Sequence, residues 1–405
     1  LAPTPPGCED SSCAAARGEC AGDDTGLSRH IICGLADLDE LVVEFGTPLL
    51  ENVTPKGYFE YEGRDVLVHE LLSCTVKDIQ LLHQNRPTSV WLITTFAKHL
   101  MRGLAHMHKN GVVHGDVKPH NIMWSGLEET FKLIDFGVSF SLNENMEHAI
   151  QSRDKHFCLI KLYRFLLPSL DIAAYQAPET IRWNQFVQPP STYYGTQLPC
   201  IGNAYPTKPG AEADVWSAGC IIAELMTGSK VFTFGWSGEN VEQVLKERLQ
   251  IIDEDFPMEF MSLWFPWFRK CLEEDRANRW SAEEALKDSL LSEPQKGSEK
   301  PTMFDLLTLP TTVLRIVSLV RAEMDQEFAD EIVETVVEMA NSCCEGTISP
   351  KEYTFYNPNG SLYLVYEDAQ DARSAYEILR RSVVKDFTLA VTFFPKEFYE
   401  NSNFF

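Results

Sequence analysis

The chain has 405 residues, 44% of them hydrophobic, and a formal net charge of −24. At about 150 residues per domain this length predicts two or three domains, and so apolar a composition excludes global disorder. The acidic balance excludes unspecific binding along a nucleic-acid backbone, which needs clustered Lys and Arg. The 11 cysteines, odd in number and without Cys-x-x-Cys pairs, fit neither a disulfide framework nor a zinc site.

In chain order, residues 1–25 are Pro, Gly, Cys, Ala and Asp without a period and read as disordered. The chain opens on Leu1 with no charged-then-apolar leader, and reads as an incomplete product. Leu35–Val43 predicts a short helix, and Tyr58–Tyr61 and Asp65–Leu72 predict strands joined by a turn at Glu62-Gly63-Arg64. Val76–Leu82 and Thr88–Lys109 predict helices; the second has Leu92, Phe96, Leu100, Leu104 and Met107 at helical spacing. Further helices are expected at Ala213–Thr227, Val241–Leu249, Glu259–Cys271 and Ser281–Lys287. The apolar run Phe157–Leu167 is broken by Lys161 and Arg164 and is too short to span a membrane.

Ser292–Pro301, rich in Ser, Glu, Lys and Pro, reads as a linker. Beyond it, strands are expected at Val313–Val320, Gly346–Phe355, Ser361–Tyr366 and Thr388–Phe394, with helices at Asp325–Met339 and Asp368–Arg381. That β-α-β-β-α-β order is the ferredoxin-like arrangement of RNA-recognition domains. Two positions argue against RNA. The third strand, Asn359-Gly360-Ser361-Leu362-Tyr363, lacks the leading cation and first ring of the RNA-binding consensus, and Arg315 stands where the other stacking ring belongs. Residues 310–405 also hold 8 Lys/Arg against 16 Asp/Glu, so the field is wrong for a polyanion. Glu327, Glu331, Glu334 and Glu338 line one face of the first helix, beside Phe328, Ile332, Val336 and Val337. This is either a solvated acidic face over a core stripe or a docking face for a basic peptide.

The chemistry is concentrated in two short runs. Val112 to Asn121 reads Val-Val-His-Gly-Asp-Val-Lys-Pro-His-Asn, and Lys132-Leu-Ile-Asp-Phe-Gly137 follows. Phosphoryl transfer needs a carboxylate to orient a hydroxyl, a cation on the transferring group and oxygen ligands for Mg²⁺. Asp116, Lys118, Asn121 and Asp135 supply that set at the spacing of a kinase catalytic loop and metal-binding loop. Ala177-Pro178-Glu179, Asp214-Val-Trp-Ser-Ala-Gly219 and Arg279 then come in kinase order. The reading is a kinase catalytic lobe with His114, Phe136, Gly137, Glu179, Asp214 and Arg279 as its structural frame, and a buried Glu179–Arg279 pair is expected.

A kinase lobe followed by an altered RNA-recognition fold resembles the family of the kinase interacting with stathmin. Leu309-Pro-Thr-Thr-Val-Leu-Arg315, Lys132–Phe140 and Thr392-Phe-Phe-Pro395 carry further likeness. The resemblance implies an α+β chain: disordered start 1–25, partial kinase N-lobe 26–75, C-lobe 76–291, linker 292–302 and a peptide-binding domain 303–399. It implies a serine/threonine kinase using ATP and Mg²⁺, with Glu70 and Leu72 offering backbone groups to adenine and His69 at the gate. Implied partners are Ser-Pro substrates of the splicing-factor and stathmin type and basic Trp-containing peptides, bound by a monomer in the nucleus, with the cytoplasm as a second location, and with no membrane role. Glu331 and Glu334 would form the peptide-docking face. Arg380-Arg381-Ser382-Val383 lacks the phenylalanine of the family's Arg-x-Phe loop, so Phe387 in Lys385-Asp386-Phe387 is the candidate pocket ring.

The chain departs from the family's pattern elsewhere. Before the catalytic loop there is no Gly-rich phosphate loop and no Val-Ala-Ile-Lys strand; Glu40 is the best-placed helix glutamate, and Arg17 is a poor substitute for its lysine partner. Residues 153–173 interrupt the segment between the metal loop and Ala177, as a retained intron or a regulatory insert. Gly115 replaces the arginine that meets an activation-loop phosphate, so activity without that phosphate is expected. A catalytically impaired scaffold carrying a peptide-binding domain stays open as the alternative.

Overall fold

The computed structural model describes residues 55–61, 64–137, 139–142, 173–187, 208–250, 258–321, 324–385 and 387–405. The start expected to be disordered, the helix expected at Leu35–Val43, Arg17, Glu40, Asp386 and all of residues 153–173 but Ala173 lie outside these residues.

Strands β1 (Pro55–Tyr61) and β2 (Arg64–His69) pair antiparallel. β2 stops at His69 rather than Leu72, because the next residue turns its carboxylate inward onto Lys132. Strand β3 (Cys74–Thr75) leads into α1 (Val76–Leu82), which starts where Thr75 and Asp78 form a reciprocal capping box. Helix α2 (Val90–Lys109) begins two residues later than expected. Both the amide and the hydroxyl of Thr88 are spent on the Leu225 carbonyl, leaving Ser89 to cap Leu92 N–H at 3.0 Å.

Four further short strands follow: β4 (Val112–Val113), β5 (Ile122–Ser125), β6 (Thr130–Leu133) and β7 (Phe140–Ser141). They form the ladders β3-β5-β6 and β4-β7 on either side of the 114–121 loop. Helices α3 (Pro178–Val187), α4 (Ala211–Thr227), α5 (Val241–Gln250), α6 (Met258–Cys271), α7 (Ala282–Lys287) and α8 (Ser289–Ser292) complete this half. Mostly apolar, α4 is buried from Ala213 to Met226, against α2 and the Trp264-Trp267-Phe268 cluster of α6. It ends at Gly228, whose φ of 71° an L side chain rarely adopts.

Just past the expected linker comes a helix, α9 (Met303–Thr308), capped by Thr302 and Asp305. Asp305 also accepts the Ser89 hydroxyl at 2.7 Å, tying this segment to the start of α2. Beyond it come β8 (Val313–Ile316), α10 (Gln326–Asn341), β9 (Glu352–Tyr356), β10 (Ser361–Val365), α11 (Ala369–Leu379), the hairpin β11 (Val383–Val384) and β12 (Phe387–Thr388), β13 (Val391–Phe394) and α12 (Lys396–Glu400). The β-α-β-β-α-β order is present, in an antiparallel sheet ordered β13-β8-β10-β9. β8 is shorter than the Val313–Val320 run because Ser318 turns at a φ of 50°. The last strand starts at Val391 because Phe387-Thr388 pairs with Val383-Val384 instead.

Helices α10 and α11 cover one face of this sheet over Leu314, Ile316, Leu362 and Leu364. The opposite face, carrying Val313, Tyr363 and Phe394, is covered by Phe398, Tyr399, Phe404 and Phe405 of the chain's own end. These rings are half-buried, so each contributes less than the roughly 1.5–3 kcal/mol of a fully buried one, and together they form a covering layer. The two halves touch closely: the Trp124 indole donates to the Pro310 carbonyl at 2.7 Å, and Lys396 N–H donates to Glu129 at 2.7 Å.

Candidate functional site

Asp214, at the start of α4, organises the 114–121 loop. Its carboxylate accepts the backbone N–H groups of His114 at 2.8 Å and Gly115 at 2.9 Å, and meets His108 Nε2 at 2.9 Å. Burial pushes its pKa up, but the His108 hydrogen bond and charge, with His114 and the Gly115 N–H, outweigh that, and the carboxyl lies below its usual value. Gly115 has a φ of 78°, a conformation that glycine adopts without strain and that lets two successive N–H groups reach one carboxylate.

His114 is fully buried and joins the two motif runs. Its Nε2 bonds the Ile134 carbonyl at 3.0 Å while Nδ1 accepts Asp116 N–H at 3.3 Å, so Nε2 carries the proton. Its ring lies 5.2 Å from that of Phe136. The Asn121 carbonyl accepts Ile134 N–H at 3.0 Å, a second tie to the strand leading into Asp135.

At the loop's open side, Asp116 Oδ2 accepts Lys118 Nζ at 2.6 Å and Asn121 Nδ2 at 2.9 Å. With its side-chain nitrogen held by Asp116, the buried Asn121 has its side-chain oxygen Oδ1 left for a cation. Asp135 has a φ of 61° and accepts Gly137 N–H at 3.3 Å. An amide oxygen and a carboxylate are the hard ligands Mg²⁺ takes, and its usual one or two protein ligands make a larger cluster unnecessary. Among the described residues no group of three or more His, Cys, Asp or Glu could hold a metal.

The frame residues also meet. Arg279 donates to both Glu179 oxygens, at 2.6 and 3.0 Å, and its Nε reaches the Glu273 carbonyl at 2.8 Å. Both partners are buried, and the guanidinium lies 5.1 Å over Trp216. The side chain of Glu70 pairs with Lys132 at 2.7 and 2.9 Å, and Lys132, fully buried, also meets Glu128. Leu72 is half-buried, and His69 Nδ1 is buried without a partner; burial lowers the His69 pKa against the charge of Glu70.

Sequence reasoning missed Lys132 as a paired charge, although a lysine inside an apolar strand was the available signal. On the C-terminal half, Lys385 bonds Glu331 at 2.6 Å and sits 5.8 Å over the Phe328 ring. Phe387 is partly exposed with Arg321 over its ring, and Glu334 is exposed. The hairpin thus brings Lys385 to the acidic helix, while Arg380 bonds Glu377 beside its own helix.

A sequence model of the protein kinase domain matches residues 51–291. The serine/threonine-protein kinase Kist of Homo sapiens is 27% identical over 350 residues, covering 82% of this chain and 72% of that protein. Kist of Mus musculus is 26% identical over 347 residues with the same coverage. Dual specificity tyrosine-phosphorylation-regulated kinase 3 of Homo sapiens is 30% identical over 176 residues, 43% of this chain and 22% of its own length. No helix among the described residues is long and apolar enough to cross a membrane.

Proposed function

The chain belongs to the protein kinase family, and on that premise we propose that Asp116, Lys118, Asn121 and Asp135 carry ATP-dependent phosphorylation of serine and threonine in protein substrates. The observation that carries this reading is the convergence of Lys118 Nζ and Asn121 Nδ2 on one oxygen of Asp116. Asp116 Oδ1 is free of that pair and accepts the proton of the substrate hydroxyl as its oxygen attacks the terminal phosphorus, the bond to the bridging oxygen breaks and ADP leaves. Lys118, already beside the reacting carboxylate, meets the charge gathering on the transferred group. Asn121 and Asp135 hold Mg²⁺, which when bound neutralises phosphate charge. Adenine is read by the backbone of Glu70 and Leu72, a segment held in place because the Glu70 side chain is locked on Lys132.

The test is Asp116→Asn in the full chain against a Ser-Pro peptide. Loss of a positioned proton acceptor costs roughly 10²–10⁴-fold in turnover. Turnover within threefold of the parent would remove Asp116 from the role.

The C-terminal half is proposed as the part that docks nuclear splicing-factor partners through a basic segment containing a Trp. The RNA-recognition-type sheet face is filled by Phe404 and Phe405, which favours a protein ligand over RNA. In this reading the exposed rings of Phe328 and Phe387 receive the Trp side chain, and Glu331 and Glu334 take the peptide's cations. Titration with a basic Trp peptide and with single-stranded RNA separates the two; tighter binding of RNA overturns docking. The scaffold reading rests on the absence of a glycine-rich phosphate loop from residues 1–111. It wins if ATP produces no thermal shift in this chain or in one supplied with a complete N-terminal lobe.

A further inference from the structure

The segment proposed to face adenine is gripped from behind by the C-terminal half. Ser73 directly follows Leu72, and both of its backbone groups are taken. Its N–H donates to the Trp124 carbonyl at 2.8 Å, within the kinase half. Its carbonyl accepts Arg373 Nη1 at 3.2 Å, from α11 in the C-terminal half. Cys74 then pairs with Trp124 in the β3–β5 ladder, and the indole of that same Trp124 donates to Pro310, just before β8.

Gly126 shows how tightly the two halves meet. A Cβ there would lie 2.6 Å from the Pro310 carbonyl oxygen, 2.7 Å from Ala369 Cβ and 3.0 Å from Ser73 Oγ. Any side chain at 126 would force a shift among Pro310, Ala369 at the start of α11 and Ser73. The Cys74 thiol carries the same signature: burial pushes it up to about 12, Asp78 adds to that, and the charge of Arg373 pulls the other way.

We propose that the C-terminal half is a fixed brace on the nucleotide hinge, with Arg373 as a positioning residue that holds the Glu70–Ser73 backbone ready for adenine. Resting on the nucleotide reading above, the inference adds a role for residues 300 positions away in sequence. Without Arg373 the Ser73 carbonyl loses its charged donor and the hinge samples conformations in which adenine is not received. Peptide binding on α10 and nucleotide binding at the hinge then share one rigid body.

The experiment compares Arg373→Ala, Arg373→Lys and Gly126→Leu with Lys351→Ala, a surface control, in the full chain. Two readouts are taken: hydrogen exchange of the amides from Glu70 to Thr75, and KM for ATP against kcat. A lost charge-assisted hydrogen bond is worth about tenfold in local opening, so Arg373→Ala should speed hinge exchange by about that factor. KM for ATP should rise several-fold with kcat nearly unchanged. Arg373→Lys should recover part of both, and Gly126→Leu should exceed Arg373→Ala. Continued protection of core amides at Ile222 and Leu364 shows that each variant is folded. Unchanged hinge exchange in both Arg373→Ala and Gly126→Leu overturns the brace. If the unsubstituted chain takes up no ATP, the nucleotide reading of the hinge falls instead, and faster exchange in Arg373→Ala would then show a brace without that role.

Discussion

Helix α4 carries a buried carboxylate near each end, and the two are treated in opposite ways. Asp214 faces two backbone N–H groups and His108, and its pKa is lowered although it is wholly enclosed. Glu224 receives the Tyr175 hydroxyl at 2.6 Å, with weaker help from Lys230, Lys77 and Gln80. There burial wins, and its pKa is raised. Burial alone therefore does not set the charge state; the number and polarity of converging donors does. The end whose carboxyl is held below its usual value is the one that shapes the loop bearing Asp116.

The largest effect that sharpens this comparison is expected from Asp214→Asn. Breaking a buried charge from its partners costs about 3–5 kcal/mol, and the loop that orders Asp116 loses its anchor. Urea unfolding should show that loss together with a fall in kcat, whereas Glu224→Gln, which keeps an acceptor for Tyr175, should leave both nearly unchanged. Equal losses in the two variants would break the comparison.

The two ends should also differ in pH dependence. For Asp214 the folded value lies below the unfolded one, so its contribution is full above about 3.8 and lost as pH falls through the lowered value. For Glu224 the folded value lies above the unfolded one, so stability falls as pH rises from about 4.5 through the raised value. Thermal melting across pH 3–8 should show the second loss disappear in Glu224→Gln.

A smaller effect belongs to the end of the same helix. Gly228 ends α4 at a φ of 71°, and a Cβ there would lie 2.0 Å from the Asn85 carbonyl oxygen, which must shift. Gly228→Ala should cost roughly 1–3 kcal/mol, the range for a side chain forced into that backbone region. Thermal unfolding measures it.

What could be read in the sequence follows from range. The catalytic set lies within the 114–137 stretch, and α1 was found to the residue because Thr75 and Asp78 are three apart. The Glu70–Lys132 pair spans 62 positions, and Trp124 reaches Pro310 across 186. Neither leaves a local pattern. Val313–Val320 looked like one strand because apolar alternation does not record the backbone turn at Ser318. The covering of the sheet by Phe404 and Phe405 was equally hidden, since a terminal aromatic pair has no period.

The smallest effect tests the exposed counterpart of these buried carboxylates. Glu331 and Lys385 meet at 2.6 Å, but their side chains are 55% and 40% exposed, so solvent screens the pair. Lys385→Ala should therefore change stability by only about 0.2–1 kcal/mol. Its effect on docking should have the opposite sign. Lys385 occupies Glu331 and lies over Phe328, the charge and the ring a basic Trp peptide would use. Removing it frees both, and peptide affinity should rise by roughly two- to fivefold at low salt, the worth of one exposed pair. At 0.5 M salt the Debye length falls to about 4 Å and the gain should shrink. A titration in which Lys385→Ala binds more weakly would make this lysine part of the pocket instead of its competitor.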